Sequence, residues 1–226
     1  MDTLTSVIGA PDKQLPYWEM QGWVDNCAVA AEVSLINQFG HRLSQENANI
    51  ISSTCGWYQK GQGTPFHHIG KLMDLFGIPN HSRRGATTDD LLHELASGRG
   101  IIVGLSTPAL RAPHRDTPAP SPGSHAVVVT GFRSEHFIIN NPGHDGGAGE
   151  SYPKAQFEQA WDTCGRYYTA TDLPLPSIRA AAAEEQSPGG YAFYGISNTG
   201  RIPSSPAGEE DYIESLFEDS DMIHFI

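Results

Sequence analysis

The chain has 226 residues, 38% of them apolar, with nine Phe, eight Tyr and four Trp. That is enough for one domain with its own core, alone or with an appendage. Fourteen basic residues against 26 acidic ones give a formal net charge of -12, which speaks against binding nucleic acid or anionic lipid, because both would be repelled.

The opening segment, Met1 to Tyr17, reads as an extended arm carrying Pro11 and Pro16. At Cys27 the pattern changes. Val29, Val33, Ile36 and Phe39 recur at helical spacing among Ala28, Ala30 and Ala31, which predicts a buried helix of about 13 residues closed by Gly40. Asp25 and Asn26 occupy the N-cap region, so Cys27 falls in the first turn. A second helix is expected over Ser44 to Ser52. The glycine-rich stretch Gly56 to Thr64, with Trp57 and Tyr58, reads as a shaped loop. A third helix is expected over Pro65 to Phe76, and Thr87 with Asp90 forms a capping box ahead of Leu91, Leu92 and Leu95.

After Gly98 and Gly100 the period shortens. Ile101 to Leu105, His125 to Phe132 and His136 to Asn140 are apolar, β-branched runs of strand type. Thr107 to Ser124, with five prolines, is expected to be an exposed loop. Pro153 opens a further helix bearing Phe157 and Trp161. Helices first and antiparallel strands second predict an α+β domain over residues 1–175. Residues 176–226 read as a polar linker and an acidic tail, and Glu209 to Asp221 holds seven acids and no base. Tyr191 to Ile196 is a candidate strand. Ile213, Leu216 and Phe217 lie at helical spacing, so the tail is a candidate docking segment for a protein partner. Gly189-Gly190 lacks an apolar leader ahead of it and is not expected to be a self-cleavage site.

No apolar run approaches the roughly 18 residues of a spanning helix. No basic stretch followed by an apolar one marks a secretory signal near Met1. Three cysteines, at 27, 55 and 164, cannot all pair within one chain. The expectation is a reducing, cytoplasmic setting, with export that reads no such signal left open.

Cys27 is the first residue with chemical promise, because a helix N-terminus stabilises the thiolate. Taken alone it reads equally as a small buried hydrophobe. His125 opens a strand, where its ring can reach a cleft and serve a thiol as base. Asn141, in Asn140-Asn141-Pro142-Gly143, closes the next strand, where an amide oxygen can hold an imidazole N–H. The ordinary readings are a surface histidine and a plain turn. Gln21, six residues before Cys27, can join the Cys27 N–H as an oxyanion donor.

Together, Gln21-x5-Cys27 at a helix start, a His-Ala-Val-Val-Val strand and a strand ending in Asn-Pro-Gly resemble papain-like cysteine peptidases. The closer resemblance is to the bacterial branch related to double-glycine, bacteriocin-processing peptidase domains, and it covers about residues 15–172. It implies a papain-like fold and a cysteine peptidase acting on a peptide or protein through a thioester. Cys27 would be the nucleophile, His125 the base, Asn141 the orienting residue and Gln21 the oxyanion donor. Asn141 is chosen over Asn140 because the family's acid or amide directly precedes Pro-Gly. Asn26 and Ala28 flank Cys27 where the bacteriocin processors have Cys-Gly, and their transporter is absent, so leader processing coupled to export is not implied. The same four residues would serve a glutamine deamidase or transglutaminase, and an idle peptide-binding module is the third reading.

No cofactor or metal is expected. His67 and His68 would diverge by about 100° on a helix. Asp145 to Glu150 lacks alternating acidic ligands and reads as a flexible turn. Trp57 and Tyr58 are read as cleft lining or as core. Cys55 and Cys164 are read as structural.

Overall fold

The computed structural model describes residues 6–107, 110 and 124–179. The expected N-terminal arm is instead structured. A short strand β1 (Ile8–Gly9) leads into helix α1 (Pro11–Gln14) and a 3-10 turn (Leu15–Tyr17). Both prolines stand in the first turn of their helical segments, where the missing N–H has no partner to lose.

Helix α2 (Cys27–Gln38) is buried along nearly its whole length. Its small alanines let it lie close to the sheet, and it packs with α3 (Gln45–Thr54) and α4 (Lys71–Leu75). The third helix foreseen as continuous is broken. A 3-10 turn (Phe66–His68) precedes α4, and Gly70 between them has φ 103°. A Cβ there would stand 2.2 Å from Asn80 Oδ1, so glycine is required at the break. The His67 and His68 rings do not diverge as foreseen; the 3-10 turn brings their centroids to 4.2 Å.

Seven strands form one antiparallel sheet among the described residues. They are β1, β2 (Asn80–Arg83), β3 (Arg99–Ser106), β4 (Ser124–Arg133), β5 (His136–Asn140), β6 (Glu150–Pro153) and β7 (Tyr168–Pro174), ordered β2-β7-β3-β4-β5-β6. β3 pairs β4 up to Ile101 opposite Val129, and β1 continues that edge with Ile8 opposite Phe132. A register shift in β4 against β5 falls between Val129 and Gly131. Strands β2, β6 and β7 have too few consecutive apolar residues to announce themselves in the sequence.

The alternation of β3 and β4 divides the core in two. Ile102, Ala126 and Val128 face α2 to α4, whereas Ile101, Val103, Leu105, Val127 and Val129 face α5 (Thr88–Ala96) and α6 (Lys154–Asp162). Phe157 and Trp161 of α6 are fully buried in the second layer, and Thr87 with Asp90 makes the expected capping box at α5. Of Thr107 to Ser124, only Thr107, Leu110 and Ser124 are described, and Leu110 is buried. Beyond β7, Leu175 is fully buried and Ile178 packs on the core. The candidate strand at Tyr191 to Ile196, the acidic tail and Gly189-Gly190 lie outside the described residues. No helix among the described residues is long and apolar enough to cross a membrane.

Candidate active site

Cys27 is the first residue of α2, and no side chain caps that helix start. Asn26 turns instead to accept the Trp23 N–H at 3.1 Å and to donate to Asn49 Oδ1 at 3.2 Å. Asp25 accepts the Tyr58 hydroxyl at 2.8 Å and the Gly61 N–H. The loop carrying Trp57 and Tyr58 is thereby pinned against the helix start, with Tyr58 buried in the core and Trp57 packed on it.

The thiol of Cys27 is half-buried. Burial by itself pushes it up, but a hydrogen bond and positive charge from His125, and the N–H groups of Ala126 and Ala28, outweigh that and hold it below the ordinary thiol value. The Ala126 N–H lies 3.3 Å from Sγ. His125 is the second residue of β4, and its Nε2 stands 2.7 Å from Asn141 Oδ1.

Asn141 follows β5 directly and is buried. Its Oδ1 also accepts the Gly143 N–H at 2.9 Å, while its Nδ2 donates to Glu150 Oε2 at 2.8 Å. These partners fix which end of the amide faces which way. An acceptor opposite Nε2 means that His125 carries its hydrogen there, which leaves Nδ1 as the basic nitrogen. Asn140 points elsewhere, donating to Gln14 O at 3.0 Å and accepting from Gly149 N at 3.0 Å. Consecutive strand residues face opposite sides, which is why only one of the two asparagines can meet His125.

Gln21 reaches the same place through the chain. Its backbone N–H donates to Pro142 O at 2.8 Å. The Trp18 indole donates to Asn141 O at 2.7 Å, so the segment before α2 is tied to the turn after β5 at two points. The Gln21 side chain donates from Nε2 to Trp23 O at 2.7 Å, and its Oε1 is buried without a partner. Gln45 steadies this segment by accepting the Gly22 N–H at 3.0 Å and donating to Met20 O at 2.8 Å.

A cleft of about 330 Å3 opens here, lined by Met20, Gln21, Trp23, Val24, His125 and Asn141 among others. Val24 is 97% exposed, and Met20 and Trp23 are about half exposed, so one side of the rim is apolar. Gln21, His125 and Asn141 line this cleft, and Cys27 meets His125 and the Ala126 N–H beside it, so the four come from three stretches of chain. Glu150 and Trp18, which also hold the site, carry no sequence signal. The segment Asp145 to Glu150, read as a flexible turn, ends in a carboxylate bound to Asn141 and to Tyr152. All three cysteines are free; Cys55 is exposed, and burial pushes the Cys164 thiol up. Among the described residues no cluster of three or more His, Cys, Asp or Glu side chains is placed to hold a metal ion.

The fold compares with two solved structures. A candidate C39-like peptidase from Bacillus anthracis is 15% identical with a TM-score of 0.53, covering 72% of this chain and 96% of that one. The peptidase domain of Streptococcus ComA, a bifunctional ABC transporter involved in a quorum-sensing pathway, is 18% identical with a TM-score of 0.51, covering 70% and 97%. At such identities the likeness speaks for the fold, which is α+β and papain-like. No curated protein matches the chain. The model of the Peptidase_C39 like family matches residues 13–169, most of the described domain, and the chain belongs to that family.

Proposed function

We propose that this chain is a cysteine peptidase that cleaves a peptide bond through a Cys27 thioester. The observation that carries the reading is the continuous line from a lowered thiol at Cys27, through His125, to an acceptor oxygen at Asn141. A thiol needs a base, and the base needs its tautomer held; both conditions are met in one array.

In the proposed reaction, the Cys27 thiolate attacks the peptide carbonyl carbon while the His125 imidazolium waits beside it. The C–S bond forms and the carbonyl π electrons move to oxygen. The Cys27 N–H and the second N–H hydrogen of Gln21 would steady that oxyanion, the first hydrogen being engaged by Trp23 O. As the C–N bond breaks, His125 gives its proton to the leaving amine. Water then attacks the thioester and surrenders a proton to His125, and the C–S bond breaks to release the acid and restore the pair. The apolar rim of Met20, Trp23 and Val24 favours a peptide with an apolar side chain next to the scissile bond.

The experiment is digestion of a mixed peptide library followed by mass spectrometry of the new termini. The unaltered chain should give cleavages enriched in apolar neighbours, and folded Cys27→Ala and His125→Ala should give none. Cleavage by folded Cys27→Ala would end the proposal.

A further inference from the structure

Asn141 has two unlike ends, and the site can use only one arrangement of them. With Oδ1 towards His125 Nε2 and Gly143 N, both donors are met. Turned by half a rotation, the amide would set its own N–H hydrogens against those two donors and lose both bonds. The Gly143 N–H, a donor only, favours this arrangement from the oxygen side, and the partner of Nδ2 sets how firmly it is held.

Glu150 stands on the nitrogen side, where Asn141 Nδ2 also lies 3.4 Å from His144 Nε2. It begins β6, opposite Ile139 of β5, and so lies beside the strand that ends one residue before Asn141. Its Oε2 accepts from Asn141 Nδ2 at 2.8 Å and from the Tyr152 hydroxyl at 3.1 Å, and its Oε1 lies 2.9 Å from His144 Nε2. The side chain is 20% exposed. A carboxylate offers acceptors only, so it can meet the nitrogen of Asn141 and never its oxygen.

We propose that Glu150 is a positioning residue of this site: its carboxylate holds the Asn141 amide with oxygen towards His125, which keeps the hydrogen on His125 Nε2 and the basic Nδ1 for Cys27. This rests on the reading of Cys27 and His125 given above and extends it to the group that orients the orienter. Glu150 does not touch the reacting atoms. Its effect passes through the tautomer of His125 and appears in the reactivity of Cys27.

The test is the rate of iodoacetamide labelling at Cys27 in the purified full chain at about pH 6, where an unassisted thiol reacts little. Glu150→Ala should slow labelling about tenfold, the loss expected for a hydrogen bond to a charged acceptor. Glu150→Gln, whose Oε1 can still accept from Asn141, should stay within about threefold of the unaltered chain. Adding Asn141→Asp to Glu150→Ala should restore the rate to within about threefold, because a carboxylate with two equivalent oxygens needs no orienting partner. Should Glu150→Ala not fold, Glu150→Met keeps the bulk, removes the acceptor and takes its place in both arms. Labelling by Glu150→Ala at the unaltered rate, or a double variant no faster than the single, overturns the proposal. His125→Ala separates the two levels. If that variant labels Cys27 at the full rate, the catalytic reading itself fails; if it is slow while Glu150→Ala is fast, only the role of Glu150 fails.

Discussion

The backbone N–H of Ala126 points at the Sγ of Cys27 from 3.3 Å, and Ala126 directly follows His125 in β4. One strand thus brings both an imidazole and a fixed main-chain donor to the same sulfur. The donor belongs to no side chain, so no substitution except proline deletes it.

Cys27 and Cys164 should therefore separate by pH. The thiolate of Cys27 forms at lower pH than an ordinary thiol because its value is held down, so its labelling should rise first as pH increases from about 5 to 9. Buried Cys164, whose thiol is pushed up, should label last. Peptide-resolved mass spectrometry reads both at once. Equal onset at Cys27 and Cys164 would contradict the assembled pair.

Glu32 makes a prediction about stability. Fully enclosed in α2, its carboxyl is pushed up from 4.5 to about 8 by burial, with Asp74 adding to the rise and the N–H groups of Met73, Gly70 and Leu72 opposing it. The fold therefore keeps a proton that the unfolded chain gives up above about pH 4.5. Between that point and about pH 8 the native state binds more protons, so this group's contribution falls as pH rises, by on the order of 4 kcal/mol in all. Urea unfolding of Glu32→Gln should show that slope removed. The variant should gain on the unaltered chain at pH 8 and show no such gain at pH 5. Parallel curves for the two chains would refute the assignment.

Gly104 sits in β3 under the ring of Phe66. A Cβ at that position would stand 2.3 Å from Phe66 Cε1, so Gly104→Ala must move the ring and should cost about 1–3 kcal/mol. In a chain of this size that is a fall in Tm of roughly 2–12 °C. Combining it with Phe66→Leu should recover part of the loss, and calorimetry of the pair tests the contact directly.

Much of this architecture was legible from period and punctuation. The helix from Cys27, the capping box at Thr87 and the strands read over Ile101 to Leu105, His125 to Phe132 and His136 to Asn140, the first two longer by one or two residues at each end, all follow from local pattern. What local pattern misreads is position-dependent. Pro11 and Pro16 look like breakers until they fall in first turns, and Gly70 looks tolerable in a helix until Asn80 fills the space a side chain would need. His125 and Asn141 stood out as residues at strand ends, and it was the family resemblance that grouped them with Cys27 and Gln21. Glu150 was not legible, since its meaning depends on the register of β6 against β5, which short strands do not advertise.

The two ties before α2, from the Gln21 N–H to Pro142 O and from the Trp18 indole N–H to Asn141 O, have a further consequence. Both acceptors are carbonyl oxygens, which every residue type supplies equally. Replacing a side chain at position 142 leaves its tie chemically unchanged, whereas inserting or deleting one residue between Trp18 and Cys27, or between Asn141 and Gly147, shifts the partners by about 3.3–3.6 Å and breaks the match. On the acceptor side these ties depend on the length of the segment and not on its side chains, whereas on the donor side position 18 must keep its indole.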